Sequence, residues 1–111
     1  MSYTEPYDKM DAATTDITKA ITSLREELEA VDFYNQRCAT AKDEELKRIM
    51  AHNRDEEKEH AAMLMEWLRR NQDNWDKELK DYIFTTAPLG VHGEEGEAEE
   101  APAGDLGIGK L

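Results

Sequence analysis

The chain has 111 residues, of which 36% are charged, and carries 26 acidic residues against 14 basic ones for a formal net charge of −12. That length allows one small domain. The negative balance excludes nucleic acid as a partner, because a phosphate backbone attracts basic surfaces, and argues equally against an anionic membrane surface. It favours a cationic partner, the simplest being a metal ion. The longest apolar run, Ala61 to Met65, is far short of the ~20 residues that span a bilayer, so no membrane segment is expected. The amino terminus has neither a basic start nor an apolar stretch, and Cys38 is the only cysteine. No secretory signal and no intrachain disulfide are expected, and the default compartment is the cytoplasm.

All six glycines lie at position 90 or later, and the prolines are Pro6, Pro88 and Pro102. The 81 residues from Tyr7 to Ala87 therefore contain neither. Tight turns and hairpins draw on both residue types, so the stretch reads as helices joined by short connections. The first helix falls within Tyr7 to Ala39, with the apolar positions Met10, Ile17, Ile21, Leu24, Leu28, Val31 and Cys38. From Ile17 the spacing alternates 4 and 3, with Asn35 filling one place of the heptad stripe. About four residues, Thr40 to Asp43, follow. The second helix runs from about Glu44 to Arg70, with Asp43 as its cap and Glu44 and Glu45 in its first turn, where the helix dipole favours anions. Its stripe is Leu46, Met50, Asn53, Glu57, His60, Leu64 and Trp67. So short a loop forces an antiparallel hairpin.

A third segment, Asp73 to about Phe84, carries Trp75, Leu79, Tyr82 and Ile83 at helical spacing. It is expected to pack on an end of the hairpin or on a neighbouring chain. The expected organisation is a helical domain over residues 1–87, a flexible acidic linker over 88–104 and an apolar terminal heptamer over 105–111. The fold class is all-α. Two helices cannot enclose a core by themselves, so two hairpins are expected to pair into a four-helix bundle, with a dimer as the smallest unit.

Glu57 and His60 break the apolar stripe. At i and i+3 they point the same way from the helix, and a carboxylate there needs a compensating partner. With the loop centred near residue 42, position n lies level with 84 − n. Level with Glu57 is Glu27, at the edge of the first stripe, and level with Met50 is Tyr34, one heptad beyond Glu27. Two carboxylates and an imidazole at one level repel unless a cation joins them, and they are ligand types of iron, manganese and zinc. Carboxylate-bridged di-iron bundles use a lone Glu from two helices and a Glu-x-x-His from the other two. This chain supplies half of that set. Two chains would supply four carboxylates and two imidazoles, balancing two divalent ions. One reading is an enzyme that oxidises iron with dioxygen at such a dinuclear site, iron being apt because it changes oxidation state with oxygen-rich ligands. A redox-inert, metal-stapled helical cargo protein and a metal-free adaptor stand as alternatives.

The stretch Glu26-Glu27-Leu28-Glu29-Ala30-Val31-Asp32-Phe33-Tyr34, with the segments His52 to Met63 and Glu66 to Asn71, resembles the encapsulated ferritins. The likeness covers about residues 5–88, and the ending Leu-Gly-Ile-Gly-Lys-Leu resembles peptides that target cargo to encapsulin shells. The resemblance implies a ferroxidase with a half-ferritin protomer, a two-iron site across a dimer, and dimers closing into a decameric ring. It implies Glu27, Glu57 and His60 as iron ligands, Tyr34 beside them, and Glu26 and Glu29 as outer acidic residues that attract or relay metal. Phe33 departs from the pattern, since some relatives carry Trp there. It also implies iron storage within an encapsulin nanocompartment, reached through residues 105–111. Outside the resemblance, His52 reads as a surface histidine. Cys38 reads as a small core residue with no basic neighbour in the sequence.

Overall fold

The computed structural model describes residues 3–91. The chain divides into two units, Met1–Gln72 and Asp73–Leu111. All regular structure among the described residues is helical. In the first unit a 3-10 turn at Tyr7–Lys9 precedes helix α1, Ala12–Thr40, and helix α2, Glu44–Asn71. At 29 and 28 residues these helices are each about 42 Å long, and they pack against one another along an antiparallel hairpin.

Capping sets the start of each helix. The Asp11 carboxylate accepts from the Thr14 amide at 2.8 Å, and Asp43 accepts from the Leu46 amide at 2.9 Å. Each thereby satisfies a backbone donor that has no partner within the helix. The Asp43 cap agrees with the expectation. The first helix runs one residue beyond the expected Ala39, and Thr40 Oγ1 bonds back to the Gln36 carbonyl at 3.1 Å. Three residues then remain for the reversal. Asp43→Ala is expected to cost about 1 kcal/mol, the usual loss for a cap of this kind, read as a lower midpoint in urea.

The seam between α1 and α2 lies to one side of the expected stripe. Thr15, Ala20, Ala61 and Leu68 are buried, Leu68 to 1% exposure. Ile17, Leu24, Val31, Met50 and Leu64 are half-buried. By contrast Ile21, Leu28, Leu46 and Trp67, all expected on the buried stripe, are exposed, Leu28 to 52%. The reason is width. The apolar arc on each helix is broader than one helix–helix contact can cover. The close contact goes to the side where Ala20 and Ala61 are small, and the larger side chains are left on an open apolar face.

At the far end of α2, Glu66 accepts from Arg69 Nε and Nη2, both at 2.8 Å, and from Arg70 Nε at 2.7 Å. The Arg69 hydrogen bonds and then those of Arg70 bring the Glu66 carboxyl down to about 2. Both arginines also lie in the last helical turn, where the dipole favours cations.

In the second unit, helix α3 is Trp75–Tyr82, shorter than the Asp73 to Phe84 expected. It opens on Asn74 in the left-handed region, which asparagine tolerates. Ile83 is extended and Phe84 has φ of 60°, which stops the helix. The pairs Lys77–Asp81 at 2.7 Å and Lys80–Asp76 at 3.1 Å brace one face. Ala87 and Val91 are buried, with Pro88, Leu89 and Gly90 exposed between them. Most of the expected acidic linker and all of the heptamer 105–111 lie outside the described residues. No described helix is long and apolar enough to cross a membrane.

Candidate metal centre

Midway along the hairpin the structure brings three expected residues together. His60 Nδ1 lies 3.1 Å from Glu57 Oε1 and 3.4 Å from Glu27 Oε1. One potential ligand atom from each of the three falls within 4.8 Å of the others. Helix geometry supplies the first contact, because Glu57 and His60 are one turn apart on α2. Hairpin geometry supplies the second. The short connection starting at Ala41 and the cap at Asp43 place α1 residue 27 level with α2 residue 57.

The side chains of Glu27 and Glu57 are 25% and 24% exposed, and that of His60 is 45% exposed. They are sheltered yet reachable from one side. The protonation pattern follows from their closeness. Glu27 is raised above an ordinary carboxyl, first by its hydrogen bond with Glu57, then by burial and the Glu57 charge, with His60 opposing. Glu57 is lowered, first by that same bond with Glu27 and then by His60. For His60 the largest influence is burial, which pulls it down, but the bonds and charges of the two carboxylates outweigh burial and raise it. The crowding of two carboxylates beside one imidazole is the kind of arrangement that a cation relieves. Two carboxylates and an imidazole on one point are a fit donor set for a divalent first-row ion.

Among the described residues, Glu26 and Glu29 do not join this cluster within one chain. Tyr34 is half-buried, and the Arg37 guanidinium lies over its ring at 5.4 Å from the centroid. The same guanidinium is 5.8 Å from the Phe33 ring. Glu26 and Glu29 are exposed on α1 on either side of Glu27. His52 is also exposed, as expected, and contacts Glu56 at 3.1 Å.

Sequence reading missed Arg54, which stands on the same face of α2 as Glu57. Arg54 Nη1 donates to Asn35 Oδ1 across the hairpin at 3.1 Å, and its Nε donates to Asp55 at 3.0 Å. Cys38 is a free, half-buried cysteine on the first helix. The available signal was the three-residue spacing from Arg54 to Glu57.

Two relatives are similar over nearly the whole chain. A "Ferritin-like protein" of Thermotoga maritima is 49% identical over 110 residues, covering 98% of this chain and 96% of its own. An "Encapsulated ferritin-like protein" of Rhodospirillum rubrum is 48% identical over 119 residues, covering 96% and 85% respectively. The crystal structure of a Nitrosomonas europaea protein superposes with a TM-score of 0.78 at 62% identity, over 80% of this chain and 99% of that one. The hairpin is accordingly a ferritin-like helical fold. The EncFtn-like family model matches residues 2–86. With that match and these identities, the chain belongs to the EncFtn-like family of encapsulated ferritin-like proteins.

Proposed function

We propose that this protein is a ferroxidase, oxidising Fe(II) to Fe(III) with dioxygen at a two-iron site formed across a dimer interface. The observation that carries the reading is the convergence of Glu27, Glu57 and His60 on a side that one chain leaves partly open. The exposed Ile21, Leu28, Leu46 and Trp67 supply apolar area for a second copy. Two copies then offer four carboxylates and two imidazoles. Iron suits this set because it changes oxidation state with oxygen-rich ligands, which zinc does not.

The chain's own groups do the following. Glu27 and Glu57 would face an entering cation as anions, any proton held between them passing to solvent. His60 would offer Nδ1, the nitrogen that lies against both carboxylates, as its ligand atom. Two ferrous ions held by these residues would together supply two electrons, enough with two protons from solvent to take one dioxygen to hydrogen peroxide. Tyr34 borders the site, and Glu26 and Glu29 draw cations toward it from the surface. Dimers close into a decameric ring, and the ferric product passes to a mineral store inside an encapsulin shell in the cytoplasm. Adding ferrous iron to the purified chain in air tests this: oxygen consumption with growth of ferric absorbance supports it, and anaerobic-like silence contradicts it.

Residues 105–111 serve as the shell address. Leu106, Ile108 and Leu111 present three large apolar side chains after a polar stretch. Deleting Asp105 to Leu111 is expected to leave ferrous oxidation unchanged and to prevent packaging. Co-purification of the truncated chain with co-expressed shell protein would show that the address lies elsewhere.

A further inference from the structure

The Arg54 side chain is 24% exposed and leans into the hairpin seam. It precedes Glu57 by three residues, a spacing at which an arginine and a glutamate share a helix face and ordinarily pair. The same helix shows such a pair closed, with Arg69 on Glu66 at 2.8 Å. Arg54 instead donates to Asn35 and Asp55. Asn35 lies level with position 49, so the guanidinium is drawn toward the loop end of the hairpin. Glu57 lies about 4.5 Å along the helix in the opposite direction.

We propose that Asn35 and Asp55 hold Arg54 away from Glu57, and so keep the Glu27, Glu57 and His60 cluster open to a metal ion. The inference rests on the metal-binding reading above. An arginine in that cluster would occupy the place of a cation. A guanidinium stays charged at every working pH and would compete with metal throughout. Arg54 precedes its glutamate, the weaker of the two orders for a helical ion pair, so two modest hydrogen bonds suffice to divert it. Arg54, Asn35 and Asp55 are thus positioning residues that govern access to the site.

Calorimetric titration of the full-length apo protein with Zn(II), a redox-inert probe, tests this without any turnover. The comparison of native chain with Glu57→Ala tests the site itself. If both bind alike, the cluster is not where metal goes and the proposal falls with it. Given a native site, Asn35→Ala/Asp55→Ala is expected to weaken Zn(II) binding by about fivefold, the upper end for a partly exposed ion pair. Adding Arg54→Gln to that variant is expected to restore native affinity within about twofold. The lost Asp55 charge is common to both variants and drops out of the comparison. Native affinity in Asn35→Ala/Asp55→Ala would overturn the proposal, since no holding would then be needed. Equal weakness with and without Arg54→Gln would overturn it too, since Arg54 would not be the competitor.

Discussion

Replacing Glu57 or His60 with alanine is expected to lower oxygen-dependent oxidation of ferrous iron by more than about a hundredfold, with the helical circular dichroism retained. Both halves of that result follow from position. Each residue occurs twice in the proposed paired site, so one substitution removes two ligands. Loss of an outer partner of a metal ligand typically costs 10–100-fold, and loss of the ligands themselves should exceed that. The fold, by contrast, rests on Ala20, Ala61, Leu68 and the half-buried aliphatic seam, which neither substitution touches. Alanine also has the highest helix propensity. Glu57→Ala further removes a carboxylate that faces Glu27, so the metal-free helices should be no less stable than native. Native-like rates in both variants would place the oxidation at another site.

Adding divalent metal to the apo protein is expected to shift its sedimentation from smaller species toward the ring, and Glu27→Ala is expected to abolish the shift. Without metal, pairing two hairpins brings four carboxylates into one partly buried place. Part of that repulsion is already visible within one chain, where the hydrogen bond and charge of Glu57 raise Glu27. An ion shared by both chains reverses the sign. In the proposed paired site the complete ligand set exists only in the dimer, so metal would favour the dimer in proportion to its differential affinity. The pH dependence has a definite direction. Glu27 and His60 both hold their protons to higher pH than usual. As pH falls through those raised values, protons displace metal and the shift toward the ring weakens. As pH rises above them, the sites empty of protons and metal-driven assembly strengthens. An identical response of native chain and Glu27→Ala would mean that ions act elsewhere, with Glu26 and Glu29 the next residues to test.

Much of this was legible from the sequence because helices obey one-dimensional rules. A glycine- and proline-free run bounded by Pro6 and Pro88 leaves little alternative to helix. Asp43 before two glutamates marks a helix start, and the short loop before it ties the two arms together. That is why counting from residue 42 was enough to set Glu27 opposite Glu57. Side-chain size and reach were not legible in the same way. Periodicity ranked Ile21 and Leu28 as core and passed over Ala20 and Thr15, because hydrophobicity does not say which edge of a broad arc permits close approach. The Arg54 to Asn35 bond spans 19 residues and depends on a long side chain leaning along the seam. No local pattern encodes that direction. The end of α3 was misjudged for a related reason, since nothing in Ile83-Phe84 announces a positive φ.

The most direct test of the central claim is the Mössbauer spectrum of the protein loaded anaerobically with one isotopically enriched ferrous ion per chain and then exposed to oxygen. A site shared by two chains is expected to give a spectrum dominated by pairs of magnetically coupled ferric ions, and the coupled signal should vanish in Glu27→Ala. Isolated ferric ions at that loading, or iron that stays ferrous in oxygen, would contradict a two-iron oxidation site built from Glu27, Glu57 and His60 across the dimer.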